Sequence, residues 1–208
     1  MIKVNLMDNF TKVGRSIGEC NPIEPSLIEW DLAPGRCQTR VFVDSCLEAA
    51  EHDEAEIKIG LLWEPRCIRP VHYRDIVNMP WLDFVMTYDV DLLKLGGRYV
   101  RYTLGGTLIP VEKWGIPKRK TKNVSIIYSD KKSGGDWNVS GWDLRHQVAH
   151  LIHQEDRYGS GVNGIYLKDK TLGLTDYRYS VIIENEARDY WLSEKIIDCL
   201  SQGTIPIY

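Results

Sequence analysis

Short apolar runs of strand length, separated by polar turns and brief amphipathic stretches, set the pattern of this chain. Lys3–Leu6, Leu27–Asp31, Arg40–Val43 and Ile57–Trp63 are dominated by β-branched and apolar residues, which predicts strands. Val71–Asn78 predicts a short helix stopped by Pro80. Phe84–Thr87 predicts another strand, and Asp91–Leu95 a helical turn ended by Gly96-Gly97. Further on, Asn123–Ser129 predicts a strand, Lys131–Gly141 a Gly-rich polar loop, and Trp142–Gln154 a helix. A turn at Gly159-Ser-Gly161 follows, then a buried strand at Tyr179–Ile183, a helix at Glu194–Leu200 stopped by Gly203, and a last strand at Thr204–Tyr208. Strands alternating with short helices favour α/β over an all-β sandwich. The closing strand, helix and strand have the layout of a right-handed parallel βαβ crossover, so the second half reads as Rossmann-like.

Length sharpens this picture. At roughly 150 residues per domain, 208 residues make one large domain or two small ones. The segment from Val111 to Lys122, polar and basic without a period, is the expected linker, with domains at 1–115 and 116–208. With 43% hydrophobic and 26% charged residues the composition is that of a globular protein rather than a disordered or collagen-like one. The longest apolar runs fall far short of the roughly 20 residues of a membrane span, and no secretory-signal pattern is read at the start. A cytoplasmic protein is the expectation. Five cysteines, odd in number and without a C-x-x-C pair, point to reduced thiols rather than a disulfide framework or zinc ribbon. A net charge of −3 argues against broad nucleic-acid binding and leaves room for a local anion site. Sequons at Asn9, Asn123 and Asn138 are read as chance matches.

In a parallel sheet, ligands sit beyond the carboxyl ends of the strands and near the amino ends of the following helices. That rule singles out Glu184 and Asn185 after one strand, and Ser193, Glu194 and Lys195 at the start of the next helix. Ser193 is a suitable N-cap and Glu194 complements the helix dipole. A lysine in a first turn opposes the dipole unless an anion is present, so Lys195 carries the information.

The stretch Tyr177-Arg-Tyr-Ser-Val-Ile-Ile-Glu-Asn185 with Trp191-Leu-Ser-Glu-Lys-Ile-Ile-Asp-Cys-Leu-Ser-Gln-Gly-Thr-Ile-Pro-Ile-Tyr208 resembles the nucleotide-sugar motif of glycosyltransferase family 10, the α-1,3/1,4-fucosyltransferases. That motif runs roughly F-E-N-S, four residues, Y-V-T-E-K, then a helix and G-x-[IV]-P-[IV]-Y-W-G. Leu62-Trp-Glu-Pro65 with Pro70 resembles the family's acceptor-side segment, Phe84–Asp89 its Tyr-bearing strand end, and Lys122–Ser129 with Asp143-Leu-Arg145 its first donor-domain strand and Arg-bearing helix. The resemblance covers the chain from about Ile57 onward. Trp191 stands where the family has Tyr, Glu186 where it has Ser or Thr, and Asp130 where it has Asn. The sequence stops before the Trp-Gly of the motif, so the donor half is expected to be incomplete.

The resemblance implies a GT-B-like α/β fold of two Rossmann-like α/β/α halves with largely parallel sheets. It implies an inverting enzyme that moves a sugar, most often fucose, from a GDP-sugar donor to a glycan hydroxyl. Lys195 and Arg145 match the residues that face the diphosphate, Glu194 would bind the ribose, and Glu184 and Asn185 would lie near the sugar or order the loop. Trp191 and Ser193 complete the donor set, and Glu64 matches the base. No tightly bound cofactor or bound metal is implied, with Mn2+ or Mg2+ at most stimulating. A non-catalytic remnant that binds a nucleotide sugar or glycan is the alternative, and a homo-oligomer covering the last strand stays open.

Other patterns were weighed. Asp89 and Asp91 invite a D-x-D metal clamp, against which Asp91 serves as well as an N-cap. His146, His150 and His153 share a helix face but lack H-E-x-x-H and read as a structural face. Among the seven tryptophans, Trp30, Trp81, Trp114, Trp137 and Trp142 read as packing residues. Trp191, then Trp63, are the candidates for sugar contact. Gly105-Gly106 and Gly134-Gly135 read as turns.

Overall fold

The computed structural model describes residues 2–7, 28–31, 33, 35–103, 106–115, 119–133, 139–160, 167 and 169–208. The polar stretch from 8 to 27, Cys20, Trp137, Gly161, the sequons at Asn9 and Asn138, Gly105, Gly134-Gly135 and positions 116–118 of the expected linker lie outside these. The chain forms two compact units, Met1–Leu104 with Arg188–Trp191, and Gly105–Ala187 with Leu192–Tyr208.

The first unit is built on six parallel strands: β1 (Ile2–Met7), β2 (Ile28–Asp31), β3 (Thr39–Val43), β4 (Ile57–Leu61), β5 (Phe84–Thr87) and β6 (Tyr99–Arg101), in the order β2-β1-β3-β4-β5-β6. Continuous apolar runs suit strands buried on both faces, and β3 shows why. Phe42 enters one cluster with Leu47, Leu62, Ile76, Leu82, Val85 and Tyr88, while Val41 and Val43 enter the opposite cluster with Val4, Leu6 and Leu61. The first cluster is covered by a 3-10 helix at Asp44–His52, by α1 (Pro70–Asp75) with its 3-10 extension Ile76–Asn78, and by α2 (Val90–Lys94).

The second unit carries four parallel strands, β7 (Lys122–Ile127), β8 (Arg157–Tyr158), β9 (Tyr177–Val181) and β10 (Ile205–Ile207), in the order β10-β9-β7-β8. Its helices are α3 (Ser140–Ala149) and α4 (Glu194–Ser201). Adjacent residues of β7 point to opposite faces. Ile126 packs with Ala149 and Ile152 beside α3, and Ile127 packs with Ile109, Leu174 and Cys199 beside α4. This unit is therefore an α/β/α sandwich. Strands β8 and β9 flank β7 on opposite sides, which makes the β7–β9 boundary the point where the strand order reverses.

Several elements differ from the sequence reading. Helix α3 ends at Ala149 rather than near Gln154, because the Arg157 guanidinium takes the carbonyls of Ile152 (2.7 Å) and His150 (3.4 Å) and so satisfies the chain after the helix has stopped. Strands β6 and β8, of three and two residues, are too short to carry a period. The N-cap of α2 is Asp89, not Asp91: its carboxylate accepts the N–H groups of Asp91 and Leu92, and Asp91 lies inside the first turn. The outermost strand β10 leaves Ile205 and Ile207 exposed. Among the described residues no helix is long and apolar enough to cross a membrane, and Cys37, Cys46, Cys67 and Cys199 form no disulfide.

Candidate functional site

In the second unit the segment after β9 meets the start of α3 at Gly141, whose N–H donates to the Asn185 carbonyl at 3.1 Å. This is the reversal point of the sheet, where parallel α/β folds place ligands. Arg145, one turn into α3 and buried, holds the same segment. Its Nε donates to the Ile183 carbonyl and its Nη2 to Asn185 Oδ1, both at 2.8 Å. Arg145 and Asn185 are thus brought together.

Glu184 faces the amino end of α4. Its Oε1 accepts the Ser193 N–H at 3.0 Å, the Ser193 hydroxyl lies 2.7 and 2.8 Å from its two oxygens, and its Oε2 accepts Lys195 Nζ at 3.1 Å. Ser193 caps the helix, receiving the Lys195 N–H, while Lys195 Nζ also reaches the Ser193 hydroxyl at 2.8 Å. The first-turn lysine is accommodated because Glu184 supplies the anion from within the chain. Glu184, Ser193 and Lys195 therefore form one connected group.

Glu194 faces a second cation that no sequence motif marks. Lys170 pairs with Glu194 at 3.2 Å and with the buried Asp198 at 2.7 Å, and Asp198 also accepts from the Thr107 hydroxyl and the Leu108 N–H. Burial would raise the Glu194 pKa, but Lys195 and Lys170 outweigh it and bring it to about 2. Burial likewise acts to lower Lys170, and the two carboxylates reverse the sign and raise it. Lys170→Ala is expected to cost about 2 kcal/mol in urea unfolding. That is less than a fully buried pair would lose, because Lys170 and Glu194 keep about 30% exposure and the buried Asp198 retains its bonds to Thr107 and Leu108. The Glu194 contribution is present above the ordinary carboxylate range and is lost as pH falls towards 2. Removing Lys170 should move that acid limb to higher pH.

In the first unit, Glu64 follows β4 at the carboxyl rim of the sheet. The Tyr73 hydroxyl donates to its carbonyl at 2.8 Å, and the Arg66 N–H donates to the Tyr88 hydroxyl at 2.9 Å. Arg66 also makes a two-point pair with the buried Asp89, both bonds at 2.8 Å, and lies over the Tyr73 ring. Asp89 is thus committed to Arg66 and to capping α2. Among the described residues no group of three or more His, Cys, Asp or Glu is gathered as for a metal ion.

Trp191 belongs to the first unit, where it packs tilted against Tyr88 with ring centres 4.7 Å apart and is 8% exposed. It packs in the core of that unit. Trp63 packs partly buried against both apolar clusters of the sheet. Lys170 left no signal in the sequence, whereas Asp44 sits just beyond the carboxyl end of β3, where parallel sheets place functional groups.

No family model and no curated protein matches the chain. Among solved structures it is similar to an α1,3-fucosyltransferase crystal structure, with a TM-score of 0.54 and 15% sequence identity, covering 100% of this chain and 68% of that one. The fold is therefore GT-B-like and fucosyltransferase-like, α/β with parallel sheets of six and four strands.

Proposed function

We propose that the chain is an inverting glycosyltransferase that moves a sugar, with fucose the first choice, from a GDP-sugar to a glycan hydroxyl. The observation that carries this reading is the Glu184–Ser193–Lys195 group at the amino end of α4, beside the strand-order reversal of a parallel sheet. The fucosyltransferase-like fold supports it. In this reading the acceptor hydroxyl attacks the anomeric carbon while Glu64 takes its proton. The bond to the diphosphate oxygen breaks, and its electron pair leaves with GDP. Lys195 and Arg145 supply positive charge for the departing diphosphate. Glu184 orients Lys195, and Asn185 orients Arg145.

Calorimetric titration of the chain with GDP, GDP-fucose, GDP-mannose and UDP-glucose, each with and without Mn2+, tests the donor half of this reading. Selective binding of the guanosine diphosphates, independent of the ion, is expected. Lys195→Ala should weaken GDP roughly 10- to 150-fold, the effect of losing one charge-assisted contact of about 1.5–3 kcal/mol. Absence of binding to all four would overturn the donor assignment. Binding without transfer to any glycan would favour the non-catalytic alternative.

A further inference from the structure

The rim of the first unit holds a buried carboxyl that the proposed reaction does not use. Asp44 directly follows β3, is 4% exposed, and adopts φ +43°, a left-handed conformation that costs free energy in a residue with a Cβ. In that conformation its two oxygens accept consecutive backbone N–H groups across the rim, Oδ1 from Trp63 at 2.9 Å and Oδ2 from Glu64 at 3.0 Å. Only the ionised carboxylate offers an unprotonated acceptor at both oxygens. With Tyr73 on the Glu64 carbonyl and Tyr88 on the Arg66 N–H, the main chain is held on both sides of Glu64.

Resting on the reading of Glu64 as the base, we propose that Asp44 is its positioning residue, fixing the backbone that presents Glu64. The charged and titratable groups facing Asp44 are Glu64 and Arg69 on the segment between β4 and α1, and Tyr73 on α1. Burial pushes the Asp44 carboxyl up to about 7; the two N–H groups pull it down, the Glu64 charge adds to the rise, and Arg69 opposes it. Coupling between two sites is reciprocal. The repulsion between the two carboxylates therefore acts on Glu64 as it does on Asp44.

Carboxyl 13C titration of the full chain by NMR, with amide-exchange protection of Trp63 and Glu64, tests this without donor or acceptor. In Asp44→Asn, the Glu64 carboxyl should titrate at lower pH than in the parent, and protection of both amides should fall at least tenfold. The amide side chain keeps one acceptor and sets an N–H against the other donor. Glu64→Gln leaves the main-chain bonds in place and covers the case in which the Asp44 variant does not fold; in it, the Asp44 midpoint should fall. A Glu64 midpoint indifferent to Asp44→Asn, or an Asp44 midpoint indifferent to Glu64→Gln, overturns the proposal. GDP binding with no titration shift would end this proposal alone, and a titration shift without GDP binding would end the donor reading alone.

Discussion

Glu64→Gln is expected to cut sugar transfer by roughly 10²- to 10⁴-fold, the range for loss of a positioned general base, while leaving GDP affinity within about twofold. The substitution replaces the proton-accepting oxygen with an amide and keeps the length and shape of the side chain. The contacts of Asp44 and Tyr73 at this position go to the main-chain N–H and carbonyl of residue 64, which glutamine retains. Arg145, Glu184, Asn185, Ser193, Glu194 and Lys195 lie in the second unit. A loss confined to the chemical step should therefore appear as a lower single-turnover rate with an unchanged donor KM. Transfer from GDP-fucose within threefold of the parent rate would remove Glu64 from the role of base.

How much of this was legible in the sequence depended on the range over which each feature is encoded. Strand β3 announces itself because its last three positions, Val41, Phe42 and Val43, are apolar and buried on both faces, whereas β9 mixes buried Tyr177 and Ser180 with exposed Arg178 and Tyr179. Ser193 was legible as a cap because the bond to the Lys195 N–H is local. Lys195 was legible only as an anomaly. Its partner Glu184 sits eleven residues earlier in the chain, and the pairing follows from where β9 ends. Lys170 and Asp198 meet through tertiary packing across 28 residues, and a lone lysine opening a 3-10 turn has no pattern to find. Between Asp89 and Asp91, local preference offers two equal N-caps; the structure selects Asp89, whose carboxylate also meets Arg66. Trp191 shows the opposite case, since its sequence neighbours belong to the donor motif while its indole is packed against Tyr88.

Gly141→Ala is expected to abolish GDP binding and to destabilise the second unit by about 3 kcal/mol or more, the size reserved for substitutions that break packing. On propensity alone the change should help, because alanine is favoured over glycine in a helix by about 1 kcal/mol. Contact decides against it. A Cβ at position 141 would lie 1.8 Å from the Glu184 carbonyl oxygen and 2.8 Å from that of Asn185. Both atoms are main chain, so no side-chain rotation relieves the overlap, and α3 must separate from the segment after β9. The Gly141 N–H then loses the Asn185 carbonyl, Arg145 loses its bonds to Ile183 and Asn185, and Glu184 is displaced from Ser193 and Lys195. One methyl group thus disturbs every residue assigned to the diphosphate. Gly115→Ala is the control, since a Cβ there meets nothing within 4 Å. Chemical denaturation and GDP calorimetry on the two variants should separate them clearly: near-parental stability and affinity for Gly115→Ala, and loss of both for Gly141→Ala. A Gly141→Ala protein that keeps its GDP affinity would show that the junction of α3 with the Glu184 segment is not part of the donor site.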